Sequence, residues 1–359
     1  MFVSAIPSIF FFQRSTFSPE STMMDLRESI KFLYDLLNFL WLAVIYISEA
    51  IILSILPRRF GSKSIDGEVA LVTGGAGGLG RLIAMKLSML GAHVIIWDIN
   101  ESGIKKTVDE IREAGGKCTG YVCDITEPKE VYKVAKTMQI EVGTVRLLVN
   151  NAGYVCGRTL MDLPDNEIER TFKVNILSHY WIAKSFLKDM MKDNHGHIVT
   201  VASVAGLVGT YNCTDYSATK FAAVGFHESL FVELKANGYN GIHMTLVCPY
   251  LINTGMFDGV KPRLMPMLEP EYVAEEVVSG ILTNQLNVTL PLSIKYFMPL
   301  KCLLPAKLCW ALLYNIIHGP QSMMTLKERY SMVTMTQWTR EIEAIKDVSN
   351  RNCFYQSEP

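Results

Sequence analysis

The chain has 359 residues, about half of them apolar, enough for one large α/β domain with appendages. A formal net charge of −1 with no basic block excludes the usual electrostatic footprint of a nucleic-acid partner. Eight cysteines (Cys118, Cys123, Cys156, Cys213, Cys248, Cys302, Cys309, Cys353) lack metal-ligand spacing, so no metal is expected and they read as reduced thiols of a cytosol-facing protein.

Residues 1–29 form an N-terminal extension. Met1–Phe12 is apolar without a basic start, which makes a poor signal peptide. Met23 and Met24 precede the first periodic segment, and residues 1–22 are expected to have little structural role. Residues 30–57 predict a hydrophobic anchor helix. Its uncharged core, Leu36–Ser48, is shorter than the ~20 residues of a spanning helix. Lys31, Asp35, Asn38, Tyr46 and Glu49 make a narrow polar stripe beside Phe32, Leu36, Phe39, Trp41, Val44, Ile45 and Ile52. That pattern suits a helix lying in a lipid interface, and Pro57-Arg58-Arg59 would end it with cations favouring an anionic surface.

A catalytic domain is expected over residues 65–290. Glu68–Thr73 reads as a strand, Thr73–Gly80 as a glycine turn, and the residues to Leu90 as a helix. Such a turn lets main-chain N–H groups approach a pyrophosphate at the helix N-terminus. Strand His93–Trp97 then ends in Asp98, placed to accept from ribose hydroxyls and to repel a 2′-phosphate, which favours NAD over NADP. Arg81 reads as a helix-surface residue. Helix Asn100–Ala114, strand Cys118–Cys123 ending in Asp124, helix Pro128–Val142 and strand Arg146–Val149 follow. Asp124 can meet an adenine amino group or cap the next segment. Asn150-Asn151-Ala152-Gly153 closes the last strand, its small residues passing under the cofactor ribose. Strict alternation predicts a Rossmann-like doubly wound parallel sheet.

A long helix, Asp165–Met191, carries Asn175, which either faces water or has a task, since a buried amide needs partners. Strand His197–Ala202 ends in Ser203, and a helix from Tyr216 to about Ala236 follows. Strand Gly241–Cys248 then delivers Pro249. Tyr216 and Lys220 are one turn apart on one helix face. An ammonium beside a phenol lowers its pKa and makes it a proton exchanger for an alcohol or carbonyl oxygen. His195 and His197 read as loop and strand-start residues rather than a metal pair. Ser203, Asp215 and His227 lack the glycine elbow of a hydrolase. The sequons at Asn212 and Asn287 are expected to be unused in a cytosol-facing domain.

Together, Thr73–Gly80, Asn150–Gly153, Asn175, Ser203 and Tyr216–Lys220 resemble, in order and spacing, the short-chain dehydrogenase/reductase family over roughly Gly67–Leu290. The N-terminal helix, Trp97–Asn100 and Cys248–Phe257 resemble its membrane- or lipid-droplet-associated branch, which includes epidermal retinol dehydrogenase 2 and the 17-beta-hydroxysteroid dehydrogenases of types 11 and 13. The resemblance implies that Tyr216 is the general base or acid and that Lys220 tunes it and bonds the nicotinamide ribose. It implies that Ser203 orients the substrate oxygen, and that Asn175 holds a water linking Lys220 to solvent. The implied cofactor residues are Gly74, Gly78, Leu79, Gly80, Asp98, Asp124, Asn151, Ala152, Gly153, Tyr216, Lys220, Pro249 and Thr254. Candidate substrate contacts are Ser203, Tyr211, Tyr250, Met256 and Phe257. Tyr250 stands where many members have glycine and alters the substrate mouth.

The expected activity is NAD-dependent oxidoreduction of a hydrophobic alcohol, retinol first. Hydroxysteroids and long-chain fatty alcohols are alternatives, and a lipid-droplet surface binding protein with weak catalysis is the reading from another class. A homodimer at the endoplasmic reticulum membrane or lipid droplet, facing the cytosol, is implied. Gly255–Glu269, rich in Met and Pro, reads as a mobile apolar lid or a packed loop. Residues 291–322 read as short apolar helices broken by Pro291, Pro299 and Pro305, with Lys295, Lys301 and Lys307 snorkelling at a membrane surface. Residues 323–359 form a polar tail.

Overall fold

The computed structural model describes residues 19–55, 61–298 and 300–326. The chain separates into two compact units, Met1–Gly61 and Ser62–Pro359.

The first unit is carried by one helix, α1 (Pro19–Ile55, 37 residues). It starts well before the expected Ile30, because Pro19 is tolerated in a first turn, where the missing N–H would be unpaired anyway. Its stretch Leu26–Ser48, 23 residues with mean hydropathy 1.6, is long and apolar enough to cross a membrane. Between those residues every side chain is exposed except the half-buried Ala43. Leaving large groups such as Phe32 and Trp41 in water forgoes ~1.5–3 kcal/mol each, so the helix requires an apolar partner. The extension before Pro19 and the cations Arg58 and Arg59 lie outside the described residues, as do Cys353 and the tail beyond Leu326.

In the second unit a seven-stranded parallel sheet runs in the order β3-β2-β1-β4-β5-β6-β7. The strands are β1 (Val69–Thr73), β2 (His93–Asp98), β3 (Lys117–Val122), β4 (Val145–Asn150), β5 (Gly196–Val201), β6 (Ile242–Pro249) and β7 (Asn287–Leu290). The first six lie within a residue of expectation. The central runs of β1, β2 and β4 are apolar because both faces are covered, while the edge strand β3 is only partly buried. Helices α2 (Gly78–Met89), α3 (Glu101–Glu113) and α8 (Pro270–Leu282) carry side chains of one buried cluster, with Ile83, Ile96, Val247 and Ile281. Helix α4 (Pro128–Glu141) supplies the other face, as do α6 (Ser178–Asp193) and α7 (Thr214–Ala236), around Leu71, Leu148, Phe186 and Ile198. Local signals set the helix starts. Asn100 accepts from the Gly103 N–H at 3.1 Å to cap α3, while Pro128 and Pro270 occupy the first turns of α4 and α8.

The expected continuous helix Asp165–Met191 is interrupted. α5 (Asp165–Phe172) passes through a π-helical turn, Lys173–Leu177, into α6. Ser178 Oγ takes the Val174 carbonyl at 2.7 Å, occupying an acceptor that a regular helix gives to a main-chain N–H. Wider turns of this kind collect at functional positions, and this one centres on Asn175.

Beyond β7 come short helices α9 (Leu292–Phe297), α10 (Leu300–Leu303), α11 (Ala306–Ala311) and α12 (Gly319–Met323), with a π turn at Leu312–Ile317. Leu292, Tyr296, Phe297, Leu303, Leu308 and Trp310 are exposed. Lys295 and Lys307 are exposed too, and so is Lys301, although its head group contacts the protein. Its ammonium donates to Leu207 O at 2.8 Å and lies 5.1 Å from the Phe221 ring centroid, so it does not snorkel outward.

Candidate active site

Strand order reverses between β1 and β4, and the carboxyl ends there frame a cleft of about 880 Å³. A knot of hydrogen bonds fixes that edge. Thr73 Oγ1 accepts from the Asn151 and Ala152 N–H groups at 3.0 and 3.1 Å, and Asn151 Nδ2 donates to Thr73 O at 3.0 Å. The glycine turn lies against this knot. A Cβ on Gly80 would sit 2.2 Å from Gly74 O and 2.5 Å from Asn151 Nδ2, so no larger residue fits without moving main chain. A Cβ on Gly77, by contrast, would meet nothing within 4 Å. The turn is therefore closed toward the sheet and open toward the cleft, which fits a pyrophosphate at the start of α2. Asp98 Oδ2 accepts from Ala76 N at 3.1 Å and Oδ1 from Asn100 N at 3.0 Å. Its carboxylate is thus held at the cleft edge. Arg81 pairs instead with Glu110 on α3, as a helix-surface residue.

Asp124 lines the cleft while accepting from Thr126 N at 2.9 Å, so it caps its own turn at the cleft wall. All thirteen sequence-derived cofactor residues, from Gly74 to Thr254, line this one cleft.

At the other end stands Tyr216. It is 4% exposed and shares the cleft lining with Ser203 and Lys220. Ser203 Oγ also accepts from Ala205 N at 3.0 Å and lies 3.5 Å from Pro249 O, which fixes the side chain at the end of β5. Lys220 donates to Val201 O at 2.8 Å, and its Nζ is 5.6 Å from the Tyr216 ring centroid. The expected lowering of the phenol pKa is not found in this arrangement. Burial pushes Tyr216 up, with Cys213 adding to the rise and the Ser203 bond opposing it. Burial also lowers Lys220, to about 8, opposed by Cys248. Desolvation outweighs the mutual effect because the ammonium is directed at a carbonyl rather than at the phenol oxygen.

Asn175 does not line the cleft. It is fully buried, and its Oδ1 accepts from Tyr154 N at 2.7 Å. Its Nδ2 donates to Tyr154 O at 2.8 Å and Thr219 Oγ1 at 3.0 Å. The amide therefore satisfies both main-chain groups of Tyr154, and the π turn supplies the orientation. A Cβ on Gly153 would lie 3.7 Å from Asn175 Oδ1 and 3.8 Å from Lys220 Nζ, so both polar atoms converge on that residue.

Among the candidate substrate contacts, Ser203, Tyr250, Met256 and Phe257 line the cleft and Tyr211 does not. Tyr211 is 39% exposed at the turn before α7, on the outside. Phe257 is buried edge-on to Tyr216, with ring centroids 5.8 Å apart. Phe257 and Val260 are buried and Leu268 bridges to Ile252, so much of the 255–269 segment is a packed loop rather than a free lid. Its Leu264 alone is widely exposed among the expected lid residues.

The cleft also holds Tyr154, Asn166, Glu169, Arg170 and Lys173, which sequence reasoning missed. Arg170 covers the Tyr154 ring at 4.3 Å from its centroid, and Tyr154 donates to Glu167. The signal was available: positions 166, 169, 170 and 173 share one helical face. The other polar residues considered are engaged elsewhere. His197 Nε2 meets Thr245 Oγ1 at 2.8 Å and its Nδ1 meets Lys63 Nζ at 2.7 Å, while His195 pairs with Glu68 at 2.8 Å. His227 bonds Thr200 Oγ1 at 2.9 Å, and Asp215 accepts from Thr171 at 2.7 Å, so neither touches Ser203.

A parallel sheet of this order, a glycine turn at its switch point and a buried Ser–Tyr–Lys set at the far end define a nicotinamide-dependent oxidoreductase. The chain belongs to the short chain dehydrogenase family, whose profile matches residues 68–264. Among its relatives, mouse (Mus musculus) epidermal retinol dehydrogenase 2 is 42% identical over 78% of this chain and 90% of the relative. Human (Homo sapiens) estradiol 17-beta-dehydrogenase 11 is 41% identical over 77% of this chain and 92% of the relative. A short chain dehydrogenase/reductase from Burkholderia phymatum, solved with NAD, superposes with a TM-score of 0.62 at 27% identity, over 67% of this chain and 94% of that one. A metagenomic short-chain oxidoreductase solved with NADP superposes with a TM-score of 0.55 at 27% identity, over 64% and 98%, so the fold alone does not choose between the two nucleotides.

Proposed function

We propose that the protein is a membrane-associated dehydrogenase that moves a hydride between NAD and a hydrophobic alcohol or its carbonyl, with retinol to retinal the leading reaction. The carrying observation is that Ser203, Tyr216 and Lys220 line the far end of the same cleft that begins at the glycine turn and Asp98. The nicotinamide, when bound, supplies the hydride acceptor or donor. Ser203 donates to the substrate oxygen and orients it. Tyr216 takes the hydroxyl proton during oxidation and returns it during reduction, assistance worth typically ~10²–10⁴-fold. Lys220 stabilises the phenolate once its ammonium swings from Val201 O toward the ribose. Asn175 holds the Tyr154 main chain and, through Gly153, the neighbourhood of Lys220.

NAD is favoured over NADP because the Asp98 carboxylate faces the ribose position and would repel a 2′-phosphate. The apolar lining at Tyr250, Met256 and Phe257 supports a hydrophobic substrate. A hydroxysteroid is the second reading, supported by the estradiol dehydrogenase among the relatives. NADH formation with retinoid, steroid and fatty alcohols tests both. Turnover of at least one class is expected, and cofactor binding without turnover of any would favour the lipid-surface binding protein instead.

The apolar helix α1 and the exposed Trp310, Phe297 and Leu303 support attachment to the endoplasmic reticulum membrane or a lipid droplet, with the catalytic unit facing the cytosol. Deleting Leu26–Ser48 should release the protein from washed membranes, and retention after deletion would shift the attachment to the C-terminal helices. Exposed Leu177, Tyr180 and Val232 on the long helices support a homodimer, which sedimentation of the detergent-solubilised protein would test.

A further inference from the structure

The segment that reads as the start of a polar tail is not solvated. Met323 is 3% exposed and Leu326 is 8% exposed. Both are buried in one apolar cluster with Tyr216, Phe257, Val155 and Val260. The segment is held from several directions. Leu326 N donates to Met323 O at 3.1 Å, Ser322 Oγ donates to His318 O at 2.8 Å, and His318 Nε2 lies 2.6 Å from Arg263 Nη1 in the loop after β6. The receiving surface is shaped for Leu326. At Gly157, with φ +82°, a Cβ would stand 2.6 Å from Leu326 Cδ2, so a side chain there would force the leucine to shift. Val155 and Gly157 follow the same β4 end that carries Asn151 and Gly153, so the C-terminal segment closes against the loop running away from the reacting centre.

We propose that Met323 and Leu326 are specificity-determining residues: with Phe257 they form the apolar wall that sets how bulky a hydrophobic alcohol can be around the carbon served by Tyr216. The cleft that accepts the nucleotide is lined by Tyr216 and Phe257, while Met323 and Leu326 stand behind them in the same cluster. Their bulk therefore sets how far that side of the pocket extends. A slim primary alcohol fits in front of the wall, and a fused-ring secondary alcohol needs it drawn back. Met323 and Leu326 lie outside the segment 68–264 that the family profile matches, whereas Phe257 lies within it.

The proposal rests on the dehydrogenase reading above, and its test separates the two. The full-length membrane protein is assayed with NAD and two alcohols, retinol and a fused-ring hydroxysteroid, for the natural chain, Leu326→Ala, Met323→Ala and Leu326→Met. If the natural chain binds NAD but turns over neither of these alcohols nor a long-chain fatty alcohol, the dehydrogenase reading has failed. If it turns over at least one, Leu326→Ala is expected to shift the ratio of kcat/KM values toward the bulkier alcohol by about tenfold or more, the change expected when several methyl(ene) groups leave an apolar pocket. Met323→Ala should shift it the same way by less, and Leu326→Met should restore most of the original ratio. NAD affinity, read by protein fluorescence quenching, should stay within about twofold. An unchanged ratio in variants that still bind NAD would overturn the proposal, as would an equal loss of kcat/KM for both alcohols. Should Leu326→Ala fail to fold, Met323→Ala and Leu326→Met decide alone, and an unchanged ratio in both overturns it.

Discussion

The two ends of the cleft are built on different principles. The nucleotide end is made mostly of main chain: the turn at 74–80, the Thr73–Asn151 knot and the strand-end carboxylate of Asp98, all within short motifs. The substrate end is made of side chains from remote segments: Phe257 after β6, Tyr216 on α7, Val155 after β4 and Leu326 near the end of the described chain. Main-chain cradles tolerate little change because an added atom meets backbone that cannot yield. Side-chain walls can be repacked, which allows one scaffold to serve different alcohols.

The most severe test of that contrast is chemical. Tyr216→Phe should lower kcat by about 10²–10⁴-fold while leaving NAD affinity nearly unchanged, measured by steady-state kinetics and equilibrium titration. Loss of both together would break the division into two ends. Gly80→Ala should come next. It must displace Gly74 O or Asn151 Nδ2, an overpacking costing ~1–3 kcal/mol that would show as a lower melting temperature and NAD affinity reduced tenfold or more. Asn175→Ala should destabilise the protein by a similar ~1–3 kcal/mol, because both main-chain groups of Tyr154 would lose a buried partner. Its melting curve should shift even without cofactor, which a purely catalytic role would not produce. Asp98→Asn removes the charge and keeps one acceptor oxygen, so one of the Ala76 and Asn100 N–H groups loses its partner. It should narrow the preference for NAD over NADP by roughly tenfold, read as the ratio of the two kcat/KM values.

The smallest effect expected concerns acid. Burial holds His227 down at about 4 and His179 down at about 3, the latter helped by Lys220 and His227. Each is thus more readily protonated in the unfolded chain than in the folded one. As pH falls below about 6.5 the unfolded state binds more protons, so stability is fully present above that value and is lost progressively toward pH 4. Melting temperature measured across that window should fall, and His227→Gln should flatten the decline.

Much of the nucleotide end was legible without coordinates because its information is local. A strand, a glycine turn and a helix follow one another within Val69–Met89, and Asp98 closes the next strand. Each step is dictated by a periodicity or a backbone preference that neighbouring residues carry. Ser203, Tyr216 and Lys220 were legible for a related reason: a strand end and a helix start put them at the same sheet edge. The π turn was not, because nothing in Lys173–Leu177 announces it. It follows from the tertiary demand that Asn175 reach Tyr154. That Tyr211 stands outside the cleft was not legible either, because proximity in sequence to α7 says nothing about which way a turn faces.

Sequence alone determined the fold family and the sheet edge at which the proposed cofactor and proton-handling residues meet, since each rests on short-range patterns. Only the folded chain decided the direction of the Lys220 ammonium, the upward push of burial on Tyr216 and the seating of Leu326 on Gly157. Those depend on which groups are desolvated together across long separations, and that is a property of packing rather than of any local stretch.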